Sequence, residues 1–576
     1  MATLGPATDP PGVVKSILEA GADVLRINLS HGSAEEHRRR VQAALAAGEE
    51  LGREVLILWD TRGPEVRVGV FQGGGVHLEP GQVFVLRADD APGDRAGVSV
   101  NHPQVILDLK PEDPVLLDDG NVILRVEDVR PDGARCRVVV GGVLTDRKKV
   151  TLPNGAPALP SLSPEDRADL MALRDLGMDA VAVSFIRTAN DVLAVRRFLE
   201  ELQCDAMLIA KIETRQAVTN LEEILRVSDG FMVARGDLGV ELAVEDVPLL
   251  QKRMIALCNR HGKPVITATQ MLESMVERPR PTRAEASDVA NAILDGTDAV
   301  MLSAETASGN FPVEAVKTMA RIAERTEPSL PYARILVESK PSCATVTDAI
   351  SHATCQTAED LGAQAILTAT QSGHTARTVA KYRPRAPIVA ITPEDRTMRQ
   401  LHLVWGVRPV KVQEIAAIDD MAHQAIDAAM AQGVIAEGDL VVLTAGVPVG
   451  VPGTTNLIQV HTVGRVLLRG VGMGCGSATG PVRRVRRSED VARVLPGEIL
   501  VVRTSDREYM PAVERSAGII AEEGGLTSHA AVVGVSLGIP TIVGVEGALS
   551  LLIDGDTVTM DAQRGLIYRA QVKVGP

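Results

Sequence analysis

Ionisable, amide and hydroxyl side chains collect directly after the apolar runs of the first half of the chain. The set that follows five such runs is Arg26, Asn28, Ser30, Asp60, Thr61, Lys211, Glu213, Arg235, Asp237 and Thr269. One polar residue after a strand is usually a loop residue or a helix cap, but five strands that all deliver such groups point to a site. Glu213 and Asp237 are hard oxygen donors that suit Mg²⁺. Lys211 lies two residues before Glu213, on the same side of an extended chain. A cation beside a metal is what a transferring phosphoryl group needs, so this set predicts phosphoryl transfer.

The elements that would position these residues alternate between short apolar runs and helix-like segments, which is typical of a parallel sheet. The predicted strands span residues 24–29, 55–59, 180–183, 207–210, 231–234, 265–268 and 299–302. The predicted helices include residues 11–20, 164–176, 192–202 and 247–260. In a (β/α)₈ barrel the carboxyl ends of all strands face one mouth, so the scattered side chains should converge there.

At 576 residues the chain should form several domains, and four compact folds are expected. Residues 1–67 and 154–330 would form the two parts of an α/β (β/α)₈ TIM barrel. Residues 68–153 contain short β-like runs separated by Gly, Pro and Asp turns, which predicts a small β-barrel lid inserted between the third strand of the barrel, at 55–59, and the fourth, at 180–183. Residues 331–464 would form a second α/β domain and residues 465–576 an extra α/β tail domain.

Composition excludes several classes of protein. A formal net charge of −14 argues against a nucleic-acid partner, and no apolar run approaches the roughly 18 residues that a membrane span needs. The first residues have neither a basic nor an apolar signal region, so a cytoplasmic location is expected. The six cysteines are far apart and form no CxxC pair, which disfavours disulfides and a zinc site. These cysteines are Cys136, Cys204, Cys258, Cys343, Cys355 and Cys475.

Six motifs in a fixed order resemble the pyruvate kinase family. They are RINLSH at 26–31, DTRGPEVR at 60–67, AKIET at 210–214, VARGDLGVE at 233–241, ATQMLESM at 268–275 and RPTRAE at 280–285. The resemblance covers the barrel and continues to about Gly464. It implies an enzyme that transfers the phosphoryl group of phosphoenolpyruvate to ADP, giving pyruvate and ATP in glycolysis.

The resemblance assigns catalytic and metal-binding roles. Glu213 and Asp237 would bind Mg²⁺ or Mn²⁺, and Lys211 would stabilise the phosphoryl group in flight. Thr269 would hold the carboxylate side of the substrate, next to Gly236 and Asp237, and would lie in the proton path to the enolate. A K⁺ ion would be caged by Asn28, Ser30, Asp60 and the Thr61 carbonyl. Glu65 stands where potassium-dependent members carry Glu, so K⁺ activation is expected.

Nucleotide contacts are implied for Arg26, Asn28, Arg67 and Lys148. Four departures from the family pattern accompany them. Residues 149–153 read KVTLP in place of the usual GVNLP, next to Lys148. The ATLGP segment follows Met1 directly, where the family usually has several residues that begin the first strand, so either the recorded start is late or this strand is cut short. Arg62 stands where Lys is commoner and Ala304 where Gly is usual.

Two further segments suggest regulation or phosphate chemistry. A strand-to-helix loop rich in hydroxyls and glycine could bind phosphate through backbone N–H groups, and in the family it holds a sugar-phosphate or nucleotide effector. Its candidate residues are Thr370, Ser372, Gly373 and Thr375. The tail sequence EGGLTSHAAVV at 523–533 resembles the phosphohistidine domain of phosphoenolpyruvate-utilising enzymes, with His529 at the phosphorylated position. A structural role for this tail is favoured over a catalytic one.

Three alternatives stand beside the main hypothesis. The first is a phosphohistidine carrier of the phosphoenolpyruvate synthase or dikinase type, which would need His529 for turnover. The second is an inactive barrel that only binds an effector, and the third is a barrel aldolase, which would not explain the inserted β domain or Lys211. A homotetramer is implied by the family alone.

Overall fold

The computed structural model describes residues 1–153, 159–339, 345–413, 418–447, 454–464, 466–473 and 476–569. For residues 418–420 it describes the backbone alone. Two cysteines of the sequence analysis, Cys343 and Cys475, lie outside these ranges. The chain divides into two compact units. One comprises Met1–Pro331 with Asp395–Trp405, and the other Tyr332–Glu394 with Gly406–Pro576. No helix in the described part of the chain is long and apolar enough to cross a membrane.

The first unit is built on eight parallel strands that neighbour one another in sequence order. They are Ala2–Leu4, Val24–Asn28, Leu56–Asp60, Ala180–Val183, Met207–Ile212, Gly230–Ala234, Val265–Ala268 and Ala299–Val300. A parallel bridge between Ala2 and Leu302 joins the two ends of the sheet, with Thr3 N–H donating to the Leu302 carbonyl at 3.2 Å. The first strand has three residues and takes part in closing the ring.

Both faces of these strands are buried, which explains their nearly continuous apolar sequence. Alternate residues of each strand enter different cores. Leu56 and Leu58 belong to a core shared by the strands, whereas Ile57 and Trp59 pack in the core shared with the helices. The α-helices of this unit are Val13–Glu19, Ala34–Glu50, Pro164–Leu173, Ala189–Glu201, Arg215–Thr219, Leu221–Val227, Arg235–Glu241, Val247–His261, Arg283–Leu294, Ala304–Ala307, Pro312–Thr326 and Asp395–Leu401.

Several of these helices begin at capping boxes, which satisfy backbone donors that the first turn leaves free. Ser33, Ser163 and Thr282 each accept a hydrogen bond from the backbone three residues on, and an acidic residue at that position contacts the cap in return. Short 3₁₀ turns complete the two units at Pro6–Thr8, Arg174–Leu176, Val244–Asp246, Glu273–Val276, Glu327–Ser329, Ser488–Arg493 and Arg507–Tyr509.

A β domain interrupts the barrel between its third and fourth strands, as predicted. Six strands form one sheet in the order Val150–Thr151, Pro114–Leu117, Val122–Arg130, Gly133–Val140, Val83–Arg87 and Gly97–Ser99. Gly142–Thr145 and Gly75–Leu78 form a two-stranded sheet, and the domain also contains a short helix, Pro103–Leu107. Phe84, Leu86, Leu117 and Leu124 are fully buried in the separate core of this domain.

The second unit contains two further sheets. The first has the order Val407–Lys411, Ile388–Thr392, Ala365–Ala369, Leu440–Gly446 and Thr455–Thr462, with helices Tyr332–Glu338, Val346–Leu361, His374–Ala380 and Ile418–Ala431. The second has the order Val466–Arg469, Leu566–Arg569, Thr557–Asp561, Ser477–Val485, Ile499–Val502, Gly518–Ala521, Thr541–Val543 and Val471–Met473. Its helices are Met510–Val513, His529–Leu537 and Ala548–Leu551.

The predicted strands of the barrel agree with those of the structure to within about two residues at each end. The strand predicted at 180–183 is Ala180–Val183, and the one predicted at 299–302 ends earlier, at Val300. Its last predicted residue, Leu302, makes the bridge that closes the ring.

Candidate active site

Lys211 is the centre of a buried polar cluster at the carboxyl end of its strand. Its Nζ lies 2.9 Å from Glu213 Oε1 and 3.1 Å from Asp60 Oδ1, and it donates to Ser184 Oγ at 2.6 Å. These residues come from three neighbouring strands, which brings groups far apart in sequence together. Burial alone would lower the pKa of the Lys211 ammonium, but Asp60 and Glu213 outweigh burial and raise it. Lys211 therefore keeps its charge although its side chain is only 12% exposed.

Glu213 is the most deeply buried carboxylate that faces the cleft. Its Oε2 accepts a hydrogen bond from the Phe185 backbone N–H at 2.8 Å, and its side chain is 1% exposed. Burial raises the pKa of Glu213, against the opposing effect of Lys211. Loss of Lys211 would therefore remove the charge that favours the ionised form of Glu213.

Asp60 lies between two cations. Arg26 Nε donates to Asp60 Oδ2 at 2.6 Å, and Arg26 Nη1 donates to Thr3 Oγ1 at 3.1 Å. The other oxygen, Asp60 Oδ1, is close to Lys211 but accepts no hydrogen bond from the described residues. This oxygen is therefore available to a further electropositive partner.

Asp237 supplies the second carboxylate of the cleft from the first turn of the helix Arg235–Glu241. It forms an ion pair with Lys149, which comes from the inserted domain. Burial would raise the pKa of Asp237, but Lys149 and Lys211 outweigh burial and hold this pKa below its usual range. Both carboxylates line a cavity of about 410 Å³ whose other walls include Phe185.

The loop after the strand Val265–Ala268 has a strained backbone. Thr269 and Gln270 have φ angles of 64° and 54°, a region that is costly for residues other than glycine. Arg235 Nη2 donates to the Thr269 carbonyl at 2.6 Å, while Arg235 Nη1 donates to Asp288 at 2.6 Å. The Gly236 N–H donates to Thr269 Oγ1 at 2.9 Å. These contacts place the Thr269 hydroxyl beside the turn that presents Asp237.

Four oxygen-bearing residues lie at the ends of two paired strands, where Asn28 is opposite Asp60. Asn28 Oδ1 accepts the Ser30 N–H at 3.1 Å, and the Thr61 carbonyl accepts the Ser184 hydroxyl at 2.6 Å. The donor set consists of oxygens, and one of them, Asp60 Oδ1, accepts no hydrogen bond from the described residues. This chemistry fits a monovalent cation.

The remaining predicted nucleotide residues lie at the base of the inserted domain. Arg67 Nη2 donates to Glu65 Oε2 at 2.5 Å, and Arg67 Nη1 donates to the Arg147 carbonyl at 2.9 Å. Lys148 Nζ lies 2.7 Å from Asp118, within the inserted domain, and its side chain is 41% exposed. The structure thus joins Arg26 to the Lys211 cluster, whereas Lys148 contacts a different carboxylate.

Sequence reasoning missed three residues of this site: Ser184, Lys149 and Thr3. Ser184 could have been found, because it directly follows the strand Ala180–Val183 as the other site residues follow theirs. Lys149 carried a weaker signal, as the first residue of the KVTLP departure. Thr3 had none, because its contact with Arg26 depends on the register in which the first two strands pair.

The candidate effector loop lies in the second unit, before the helix His374–Ala380. Gly373 has φ 76° and precedes the helix, and Ser372 is exposed. Thr375 is buried, and its hydroxyl shares a hydrogen bond of 2.8 Å with the Thr455 hydroxyl. Thr370 donates its N–H to the Ile391 carbonyl at 3.1 Å.

His529 is exposed at the first turn of the helix His529–Leu537. Its Nδ1 lies 3.0 Å from Ser505 Oγ, a contact that orients the ring. This contact leaves the other ring nitrogen, Nε2, available to other partners.

A divalent ion at the barrel mouth would depend on few protein ligands. Among the residues that the structure describes, no three His, Cys, Asp or Glu side chains are grouped as a metal site. Glu213 and Asp237 offer two carboxylates, which fits Mg²⁺ because this ion binds through one or two carboxylates plus substrate phosphates and water.

Comparison with known proteins agrees with this geometry. The family described as pyruvate kinase, barrel domain, matches residues 1–316, and the pyruvate kinase alpha/beta domain matches residues 348–461. The mobile domain of PEP-utilising enzymes matches residues 494–565. The two pyruvate kinase matches favour the main hypothesis over the phosphohistidine carrier.

Full-length relatives carry the same name. The pyruvate kinase of Geobacillus stearothermophilus is 48% identical over 99% of this chain and 98% of its own length. That of Bacillus licheniformis is 46% identical over the same shares, and pyruvate kinase 2 of Synechocystis is 44% identical over 99% of this chain and 96% of its own length. With a barrel match over more than half of its residues and such relatives along its whole length, the chain belongs to the pyruvate kinase family of phosphotransferases.

Proposed function

We propose that the barrel mouth transfers the phosphoryl group of phosphoenolpyruvate to ADP, as a step of glycolysis in the cytoplasm. The observation that carries this proposal is the position of Lys211, a buried ammonium held by Asp60, Glu213 and Ser184 beside the Asp237 cleft. A fixed cation next to two carboxylates is suited to an anionic group whose charge is redistributed during transfer.

The reaction is a displacement at phosphorus. A β-phosphate oxygen of ADP forms the new P–O bond, and the bond between phosphorus and the enol oxygen breaks. The enolate that leaves takes up one proton at carbon and becomes pyruvate. Lys211 neutralises charge on the phosphoryl oxygens throughout, because its raised pKa keeps it protonated.

Glu213 and Asp237 would hold Mg²⁺ or Mn²⁺ between them and the substrate. When bound, the divalent ion supplies positive charge to the phosphate and carboxylate oxygens. The protein side of this site consists of one carboxylate fixed by Phe185 and Lys211 and one held by Lys149.

Thr269 would face the carboxylate end of the substrate and lie in the proton path to the enolate. Its hydroxyl accepts from the Gly236 N–H and donates to the Ala268 carbonyl at 2.7 Å. These two bonds fix the hydroxyl beside the turn that presents Asp237, and the arrangement supports a positioning role for Gly236 together with Thr269.

A monovalent cation would occupy the oxygen set of Asn28, Ser30, Asp60 and Thr61. Asp60 Oδ1, which accepts no hydrogen bond from the described residues, supports this assignment. K⁺ there would add charge near the phosphate, beside Arg26. Nucleotide phosphates would be contacted by Arg26, Asn28, Arg67 and Lys148. Of these residues, Arg26 is linked to the Lys211 cluster, because both side chains contact Asp60.

Regulation is assigned to the second unit. We place the phosphate of a sugar-phosphate or nucleotide effector at the loop of Thr370, Ser372, Gly373 and Thr375, and we expect a homotetramer as the working form. The tail domain would act as a structural part, with His529 outside the catalytic cycle.

The decisive experiment measures ADP-dependent pyruvate formation from phosphoenolpyruvate with Mg²⁺ and K⁺, for the wild type, Lys211→Met and His529→Gln. We expect Lys211→Met to lose about 10³-fold or more in kcat, by analogy with other cations that stabilise phosphoryl transfer. His529→Gln should keep wild-type turnover. Turnover that survives Lys211→Met and is abolished by His529→Gln would instead assign the chemistry to the tail.

A further inference from the structure

Two lysines approach the two carboxylates of the cleft, and they are held very differently. Lys211 contacts Glu213, Asp60 and Ser184, all from the barrel. Lys149 comes from the inserted domain and reaches across to Asp237. A side chain held by one ion pair is displaced more easily than one held by three partners, so Lys149 is the exchangeable cation of the two.

The backbone at Lys149 directs its side chain into the cleft. Its carbonyl accepts the Asp118 N–H at 3.0 Å, and the flanking Val150 N–H donates to the Val66 carbonyl at 2.8 Å. Successive residues of an extended segment point to opposite sides. Accordingly, Lys148 reaches Asp118, whereas Lys149 lies against Asp237 and over the Phe185 ring at 5.2 Å from its centroid.

A divalent ion bound to Asp237 would need the position that the Lys149 ammonium occupies. A cation within ion-pair distance of Asp237 cannot share the same oxygen with a metal without strong repulsion. The anchored backbone keeps a displaced ammonium within the same cleft of about 410 Å³. A nucleotide phosphate bound in that cleft would offer the released ammonium a new partner.

We infer that Lys149 is a tethered counter-ion that occupies the metal position on Asp237 in the free enzyme, and that the divalent metal moves it onto the phosphates of the nucleotide. Lys149 thus weakens metal binding in the empty site and strengthens nucleotide binding in the loaded one. Metal and nucleotide binding are coupled through one side chain. The inference rests on the proposed role of Asp237 as a metal ligand.

The test measures Mn²⁺ binding to the substrate-free protein by electron paramagnetic resonance. Lys149→Met should bind Mn²⁺ about three- to tenfold more tightly than the wild type, the range expected for removing a partly exposed ion pair. Lys149→Arg should keep the wild-type affinity, since it keeps the charge. The matched control is Lys252→Met, which removes a lysine that is also paired with one aspartate, Asp295, but does not line the cleft, and it should change nothing.

A second measurement follows nucleotide binding by calorimetry at saturating Mg²⁺. Lys149→Met should bind ADP more weakly by a factor of about three or more, because a phosphate loses one cationic partner. Unchanged or weaker Mn²⁺ binding by Lys149→Met would overturn the inference, as would ADP binding equal to the wild type.

Asp237→Asn separates this inference from the proposed function. If Asp237→Asn binds Mn²⁺ as the wild type does, the metal site itself is wrong and both ideas fail. If Asp237→Asn loses Mn²⁺ while Lys149→Met behaves as the wild type, only the role of Lys149 is refuted. Tighter binding by Lys149→Met together with loss in Asp237→Asn supports both.

Discussion

Replacement of Ser184 by Ala tests whether the hydroxyl that sequence reasoning missed positions the central lysine. The Ser184 side chain accepts from Lys211 Nζ and donates to the Thr61 carbonyl, both at 2.6 Å, in a residue only 2% exposed. Ser184→Ala leaves the ammonium without one acceptor and the Thr61 carbonyl without its donor. Hydrogen bonds to charged groups contribute about 1.5–3 kcal/mol.

We expect kcat to fall about tenfold to a hundredfold, since each 1.4 kcal/mol or so corresponds to a factor of ten in rate. The KM for phosphoenolpyruvate should change much less, because Lys211 acts on charge that develops during transfer. Steady-state pyruvate formation at saturating Mg²⁺ and K⁺ measures both constants. Ser184→Thr, which keeps the hydroxyl, should recover a large part of the lost turnover.

Ser161→Ala is the matched control. Ser161 is 5% exposed, and its hydroxyl donates to Asp191 at 2.8 Å, in contacts that do not include Lys211. Both variants should lose about 1–3 kcal/mol of stability, as expected when a buried polar group loses its partner. The positioning argument is refuted if Ser184→Ala stays within twofold of the wild-type kcat, or if Ser161→Ala loses as much turnover.

Three further outcomes are expected. Replacing K⁺ by a large organic cation should lower kcat at least about tenfold. The Asp60→Asn variant should no longer respond to K⁺. Equal activity with and without K⁺ would contradict the cation site. Asp9 is held by Arg40 at 2.7 and 2.8 Å, and the hydrogen bond from Arg40 places the pKa of Asp9 below its ordinary value of 3.8. A lowered pKa stabilises the folded state above the unfolded pKa, so an advantage of about 1 kcal/mol over Asp9→Asn should be present at pH 7 and should shrink as the pH falls below about 3.8. A constant difference in urea midpoints from pH 7 to pH 3 would be inconsistent with this contribution. Incubation with radiolabelled phosphoenolpyruvate should leave His529 unlabelled, and label that His529→Gln removes would make the tail a phosphoryl carrier.

The strand ends illustrate what could be predicted from the sequence. Glu213, Asp237 and Asp60 each follow an apolar run, and parallel strands with both faces buried form such runs because water is excluded on either side. The order of the strands around the ring then follows the order of the chain. For this reason the barrel with its inserted β domain was predicted correctly, whereas the roles of the residues in the Lys211 cluster stay predictions.

The same reasoning could not predict which residues form pairs when they are far apart in the sequence. Lys149 and Asp237 are 88 residues apart, and nothing in either segment specifies which of the two adjacent lysines faces the barrel. That choice depends on the register of the bridge between Arg67 and Lys149, since a shift by one residue would exchange the two side chains. Thr3 meets Arg26 only because the first strand pairs in register beside the second.

The sequence by itself determined the kinds of groups in the site, the strands that carry them and the family to which the chain belongs. Only the tertiary structure decided which charges pair: Lys211 with Asp60 and Glu213, and Lys149 with Asp237. The physical reason is that apolar periodicity is a local property of the chain. Ion pairs across a barrel mouth depend instead on register, ring closure and the position of an inserted domain, which are set by packing over the whole unit.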